Sequence, residues 1–146
     1  NDHLSRIPEM IKVKRVERYN SNLLEIENYS YKQRYDSIHK RLLYIDKKGT
    51  DIRGEENIYC PYELVYDLRF YLDPFVKASQ INNGKAILLK LPNGTGWKFM
   101  TSLNKINLVS SRYLEINKQP RVNEHILISG KTMELITIVK WSLKKY

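Results

Sequence analysis

Apolar and polar residues alternate with a period of two along most of the chain, and clusters of Gly, Asn, Pro and Asp break the alternation at intervals of roughly 8 to 12 residues. That spacing is the one expected of strands in a sandwich or barrel. A first strand is predicted from Ile11 to Arg18, followed across Asn20, Ser21 and Asn22 by a hairpin partner from Leu23 to Glu27, and a third from Ile38 to Ile45. The run Asp46-Lys47-Lys48-Gly49-Thr50 reads as a turn with Gly49 at positive φ, leading into a short strand through Arg53 and Glu56. Past Pro61, the alternation of Tyr66, Leu68, Phe70 and Leu72 with Asp67, Arg69 and Tyr71 gives a half-buried strand that Asp73-Pro74 ends.

Asn83-Gly84 and Asn93-Gly94 are placed at the tips of two hairpins, because Asn-Gly supplies the positive φ angles that primed turns require. The strand between them runs from Lys85 to Leu91, and Trp97 to Thr101 and Ile106 to Ser110 continue the meander. Two longer alternating runs, Val122 to Ser129 and Met133 to Leu143, meet at Gly130-Lys131. In the last run Met133, Leu135, Thr137, Val139 and Trp141 share one face, and Ile136 and Ile138 on the other imply partial burial there and a central strand. No amphipathic helix is predicted. The sum is an all-β chain: an antiparallel two-sheet β-sandwich of about ten strands, without a solenoid repeat.

A length of 146 residues suits a single domain over the whole of 1–146. The 11 tyrosines among the aromatics favour pleated surfaces over helices. The longest apolar runs fall far short of the ~20 residues that a bilayer helix needs, so no membrane is expected as a partner. The chain opens on Asn1-Asp2 without a basic and apolar leader, and we expect it to be a piece or processed form of something longer. Its one cysteine, Cys60, lies between Tyr59 and Pro61 and reads as a turn residue more than a reactive centre. The formal charge of +9 attracts polyanions such as acidic polysaccharide, nucleic acid or anionic lipid. The basic residues are scattered, however, which excludes a disordered basic tail.

Sites with their own chemistry are sparse. The histidines, His3, His39 and His125, have no ligand spacing around them, so neither a metal nor another cofactor is predicted. Asn93-Gly94-Thr95-Gly96 is hairpin chemistry and not a phosphate loop. His39 and Arg41 fall on one strand face, where two cations could meet a sugar carboxylate or phosphate; alternatively, His39 is a structural hydrogen-bonding residue and Arg41 pairs with a nearby acid such as Glu55 or Glu56. Trp97, beside Lys98, could stack on a sugar ring or a base, or fill the core in register with Phe99. The candidate carbohydrate-binding residues are therefore His39, Arg41, Trp97 and Lys98. Nothing matches a ribonucleoprotein consensus, which leaves nucleic acid resting on charge alone.

Three words occur in a set order: His39-Lys40-Arg41-Leu42-Leu43-Tyr44-Ile45, then Asp51-Ile52-Arg53-Gly54-Glu55-Glu56, then Tyr66-Asp67-Leu68-Arg69-Phe70-Tyr71-Leu72-Asp73-Pro74. Leu88-Leu89-Lys90-Leu91-Pro92-Asn93-Gly94, Gly96-Trp97-Lys98-Phe99 and Val139-Lys140-Trp141-Ser142-Leu143-Lys144 follow. From about Tyr31 to Lys144 the chain resembles the heparinase II/III-like proteins of bacteria. It departs from their pattern at Ser30, where Gly precedes the tyrosine, and at Glu56, where Asp is usual.

The resemblance implies a β-sandwich that follows a large helical toroid domain in complete members, which are polysaccharide lyases or are taken to be. Such lyases cleave a uronic-acid linkage by β-elimination: a cation or amide neutralises the carboxylate, a base takes the adjacent C–H proton, and a tyrosine protonates the leaving oxygen. In the family those groups come largely from the helical domain and from a His-x-His motif upstream of the matched region. None of these motifs occurs here, and His39 matches the later His-x-Arg position, so no catalytic residue is assigned. The resemblance thus implies the C-terminal sandwich of a lyase, inactive alone, with the helical domain and an acidic polysaccharide as partners. Its compartment is open, since family members suggest either periplasm or cytoplasm. A stand-alone carbohydrate- or polyanion-binding module is the alternative. Strand edges left unpaired would favour dimers.

Overall fold

The computed structural model describes residues 10–113 and 121–146, with the backbone alone for 111–113 and 121–122. Its strands are β1 (Ile11–Arg18), β2 (Ser21–Asn28), β3 (Ile38–Asp46), β4 (Asp51–Tyr59), β5 (Val65–Tyr71), β6 (Lys77–Ile81), β7 (Ala86–Lys90), β8 (Gly96–Thr101), β9 (Asn107–Tyr113), β10 (Arg121–Lys131) and β11 (Ile136–Lys145). They form an eight-stranded sheet in the order β1-β2-β3-β4-β11-β8-β7-β6 and a three-stranded sheet in the order β5-β10-β9. The fold is the expected all-β sandwich, and the C-terminal strand is central in its sheet. The chain divides into two compact units: the residues up to Val65 with Lys131–Lys140, and Tyr66–Gly130 with Trp141–Tyr146.

In the first unit β1 to β4 form an antiparallel meander. A two-residue turn, Tyr19-Asn20, joins Arg18 to its partner Ser21, and the register carries Val13↔Ile26, Ile26↔Arg41 and Arg41↔Glu56 across the four strands. Because side chains alternate along a strand, this row and its neighbours make one face, and Lys14, Glu25, Leu42 and Glu55 belong to the other. Burial deepens across the sheet: β1 is exposed at every residue, β3 is half-buried, and Glu56 and Ile58 in β4 are buried. Thr132, fully buried, ties down the loop after Cys60 by donating its hydroxyl to the Tyr62 carbonyl at 2.8 Å and accepting the Leu64 N–H at 2.8 Å. Cys60 is buried, and its N–H bonds the Leu135 carbonyl at 3.0 Å.

The second unit contains the two-layer core. Phe70 of β5 packs on Phe99 of β8 and Trp141 of β11 with ring centroids 5.2 and 5.1 Å away, and the latter two stack at 5.6 Å. Ile87, Leu89, Ile106, Ile126 and Ile128 complete the apolar layer between strands of both sheets.

Several expectations change in detail. Among the described residues there are eleven strands, because Lys77–Ile81, with only Ala78 and Ile81 apolar, forms edge strand β6 without an alternating pattern. A one-turn helix, Lys32–Tyr35, follows β2 and ends on Asp36 at φ 44°. The strand through Arg53 and Glu56 is not short but runs nine residues. β11 begins at Ile136, not Met133, since the Thr132 and Leu135 contacts bind the preceding segment to the loop after Cys60; Met133 and Leu135 are exposed. Ile136 and Ile138, at 42% and 51% exposure, are covered only in part, as expected, and share their face with Lys140, which reaches Glu55. Asn82, Asn83 and Gly84 adopt left-handed φ of 52°, 54° and 81° as Asn-Gly predicts. At the second tip Pro92, with φ preset near about −65°, takes the second position of a Leu91–Gly94 turn, and only Gly94 is left with positive φ, 85°.

Candidate functional site

A buried charged cluster lies on the inner face of β3 and β4. Register sets Arg41 directly opposite Glu56, and His39, two residues back on the same face, reaches the same carboxylate diagonally. Arg41 Nε donates to Glu56 Oε1 at 2.7 Å, and His39 Nε2 lies 2.6 Å from Oε2. The Glu56 side chain has no exposed surface, while those of His39 and Arg41 keep 22% and 30%. A carboxylate removed from water at this depth requires charged or hydrogen-bonding partners, and the permanent charge of Arg41 with the imidazole supplies them. The cost of dehydrating Glu56 therefore holds both candidate residues inward, with Nε2 of His39 turned to its carboxylate.

The opposite face of the same strands carries a separate network. Lys40 Nζ stands 2.6 Å from Glu25 and 3.6 Å from Glu27. The hydroxyl of Tyr29 donates to Glu27 at 2.7 Å; this bond, aided by Lys40 and Lys12, holds the Glu27 carboxyl below the usual range. Glu25, bonded to Lys40, raises the ammonium in turn.

Trp97 and Lys98 lie in the second unit, on β8. Trp97 pairs with Leu89 and shares the inward face with Phe99; it is half-buried and stands at the rim of the core, outside the Phe70, Phe99 and Trp141 cluster. Lys98, the next residue, points to the other face alongside Leu88 and Lys144. The two cannot form one platform, and they belong to a different unit from His39 and Arg41. Of the other histidines, His3 is outside the described residues; His125 is buried against Tyr71 at 5.2 Å, with Nδ1 lacking a hydrogen-bond partner among the described residues. No group of three metal-ligating side chains occurs among the described residues. No helix there is long and apolar enough to cross a membrane.

Sequence patterns had paired Arg41 with a nearby acid but did not reveal that Glu56 would be fully buried, because its neighbour Glu55 carries the same charge. Parity within β4 separates them: Glu56 shares the inward face with Ile52, Gly54 and Ile58. A cluster of exposed cations where the β1–β2 and β3–β4 turns meet also had no mark beyond ordinary turn composition.

The family described as "Heparinase II/III-like, C-terminal" matches residues 3–142. FtsZ-localized protein C of Caulobacter vibrioides (strain NA1000 / CB15N) is 23% identical over 122 residues, covering 73% of this chain and 20% of that protein. Among solved structures, the heparan sulfate lyase HepC from Pedobacter heparinus superposes with a TM-score of 0.75 at 9% identity, over 93% of this chain and 22% of that one. A heparinase III, the BT4657 gene product, gives 0.71 at 11% identity over 93% of this chain and 21% of its own. At such identities these structures show the shared fold. The chain spans about a fifth of the length of these relatives.

Proposed function

Since this chain belongs to the heparinase II/III-like, C-terminal family, we propose that it is the sandwich portion of a larger polysaccharide lyase that acts by β-elimination on uronic-acid polymers. In that protein it supports a helical domain and the substrate, and carries no elimination chemistry of its own. The observation behind this reading is the extent of the likeness: the chain superposes on lyases over 93% of its own length but only about a fifth of theirs, and its His39 and Arg41 both turn to the buried Glu56. An elimination needs a neutraliser, a base and an acid around one sugar. The pure chain, incubated with heparan sulfate and alginate, is expected to release no unsaturated uronate by ultraviolet absorbance; turnover by the chain would overturn the reading.

A second reading is a binding module for carbohydrate or another polyanion, unconnected to lysis. The net charge of +9 favours it, as does a relative whose name records a localisation and not a reaction. Among the proposed sugar contacts, His39 and Arg41 are turned to Glu56, whereas Lys98 on the outward face keeps a route to a polymer.

Edge strand β1, exposed at every residue, further supports self-association of the isolated chain. Its Lys12, Lys14, Arg15 and Arg18 repel a second copy, so light scattering is expected to show dimers growing with salt as screening rises. A monomer at high concentration and every salt level would contradict this.

A further inference from the structure

The outer corner of the first unit gathers cations without matching acids. Arg18 ends β1, its register partner Ser21 pairs in turn with Asp46, and the Lys47 N–H bonds the Asn20 carbonyl at 2.9 Å, so the β1–β2 and β3–β4 turns are locked side by side. Two strand spacings separate the β1 end from the β3 end, about 10 Å. Lys47 Nζ lies 5.1 Å from the centroid of the Tyr19 ring, which is nonetheless 87% exposed. Arg18, Lys47 and Lys48 are exposed and form no ion pair among the described residues. Of the two acids that flank the β3–β4 turn, Asp51 pairs with Arg53, and Asp46 is turned onto backbone: it accepts the Thr50 and Asp51 N–H groups at 2.7 and 2.8 Å and the Thr50 hydroxyl at 3.0 Å. Several other cations of this unit are matched, Arg15 by Glu17, Lys40 by Glu25 and Arg53 by Asp51.

We infer that Arg18, Lys47 and Lys48, with the exposed ring of Tyr19 on the same pair of turns, form a binding site for an anionic sugar unit of an acidic polysaccharide. Three cations on strand ends about 10 Å apart suit the closely spaced carboxylates or sulfates of such a polymer. The exposed ring adds a flat apolar surface for the C–H face of a pyranose, and Lys47 beside it would meet an anionic substituent. A single aromatic suits one or two sugar units; single-stranded nucleic acid would call for a series of rings to stack successive bases. The site gives the polyanion reading a location away from His39, Arg41 and Trp97, and as a deepening of the lyase reading it rests on the premise that the parent protein handles acidic polysaccharide.

The test is a calorimetric titration of the full chain with heparin, alginate and duplex DNA, matched in charge, at low and near-physiological salt. Three variants are compared with the original chain: R18Q/K47Q/K48Q, Y19A, and the charge-matched control K77Q/K90Q/K105Q, whose lysines are exposed on the second unit. The corner variant is expected to lose about tenfold or more in affinity for heparin or alginate, and the control less than about threefold. Y19A is expected to lose about threefold or more with an unchanged salt slope, since the ring carries no charge. Equal losses in corner and control variants, or no loss in Y19A, would overturn the site. So would DNA binding tighter than that of both polysaccharides and lost with the corner. Heparin and alginate distinguish sulfate from carboxylate recognition. Binding is read without turnover, so these outcomes are independent of whether the chain catalyses elimination.

Discussion

Glu56 is the residue on which the inner face of β3 and β4 depends. Its carboxylate is wholly buried, and removing one partner of a buried ion pair leaves the other uncompensated. Glu56→Gln is expected to cost about 2–4 kcal/mol in urea unfolding, since Arg41 and His39 would lose their shared acceptor. A loss under about 1 kcal/mol would show that the cluster is not what holds these strands. Asp46 offers a test by pH. The Asp51 N–H above all, and then the Thr50 bonds, hold its carboxyl below the ordinary aspartate range. A folded value below the unfolded one contributes stability above the unfolded value, and that contribution is lost as pH falls through the folded value. Asp46→Asn is therefore expected to flatten the acid limb of the stability profile, and an unchanged limb would contradict the turn geometry. In the sequence Arg41 and an acidic partner were visible, whereas the depth of Glu56 was not, because burial is set by what lies across the sheet.

Elements were legible where one side of a strand is wet and the other dry. β1 was readable to its ends because two turn signals bound it, and β5 because Leu68 and Phe70 face the core while Asp67 and Arg69 face solvent. β6 was not, since Lys-Ala-Ser-Gln-Ile carries little apolar periodicity and forms through backbone pairing with β7. Ile136 and Ile138 made β11 readable on its second face as well, because β-branched residues favour a strand even where they are only half covered. Close approach between elements is equally hidden. A Cβ on Gly130 in β10 would stand 2.6 Å from Cζ of Tyr66, whose hydroxyl burial pushes up, whereas one on Gly96 would meet the exposed ring of Tyr146. Gly130→Ala is expected to cost about 1–3 kcal/mol, and Gly96→Ala distinctly less because an exposed side chain can swing aside. Equal urea midpoints for the two variants would contradict this.

For the whole molecule, the sandwich and the family words pointed the same way, and the family match over 3–142 gives that likeness its basis. The chain nevertheless spans only about a fifth of its relatives, and an elimination needs a neutraliser, a base and an acid arranged around one sugar. The candidate residues of the sequence do not converge on such a point: His39 and Arg41 turn to Glu56, and Trp97 and Lys98 face opposite ways on β8. The direct measurement is the release of unsaturated uronate from heparan sulfate and alginate, by this chain alone and by the longer protein of which we propose it is a part, at equal molar concentration. The account predicts turnover by the longer protein and none by the chain. Turnover by the chain itself, or none on either polymer by the longer protein, would contradict it.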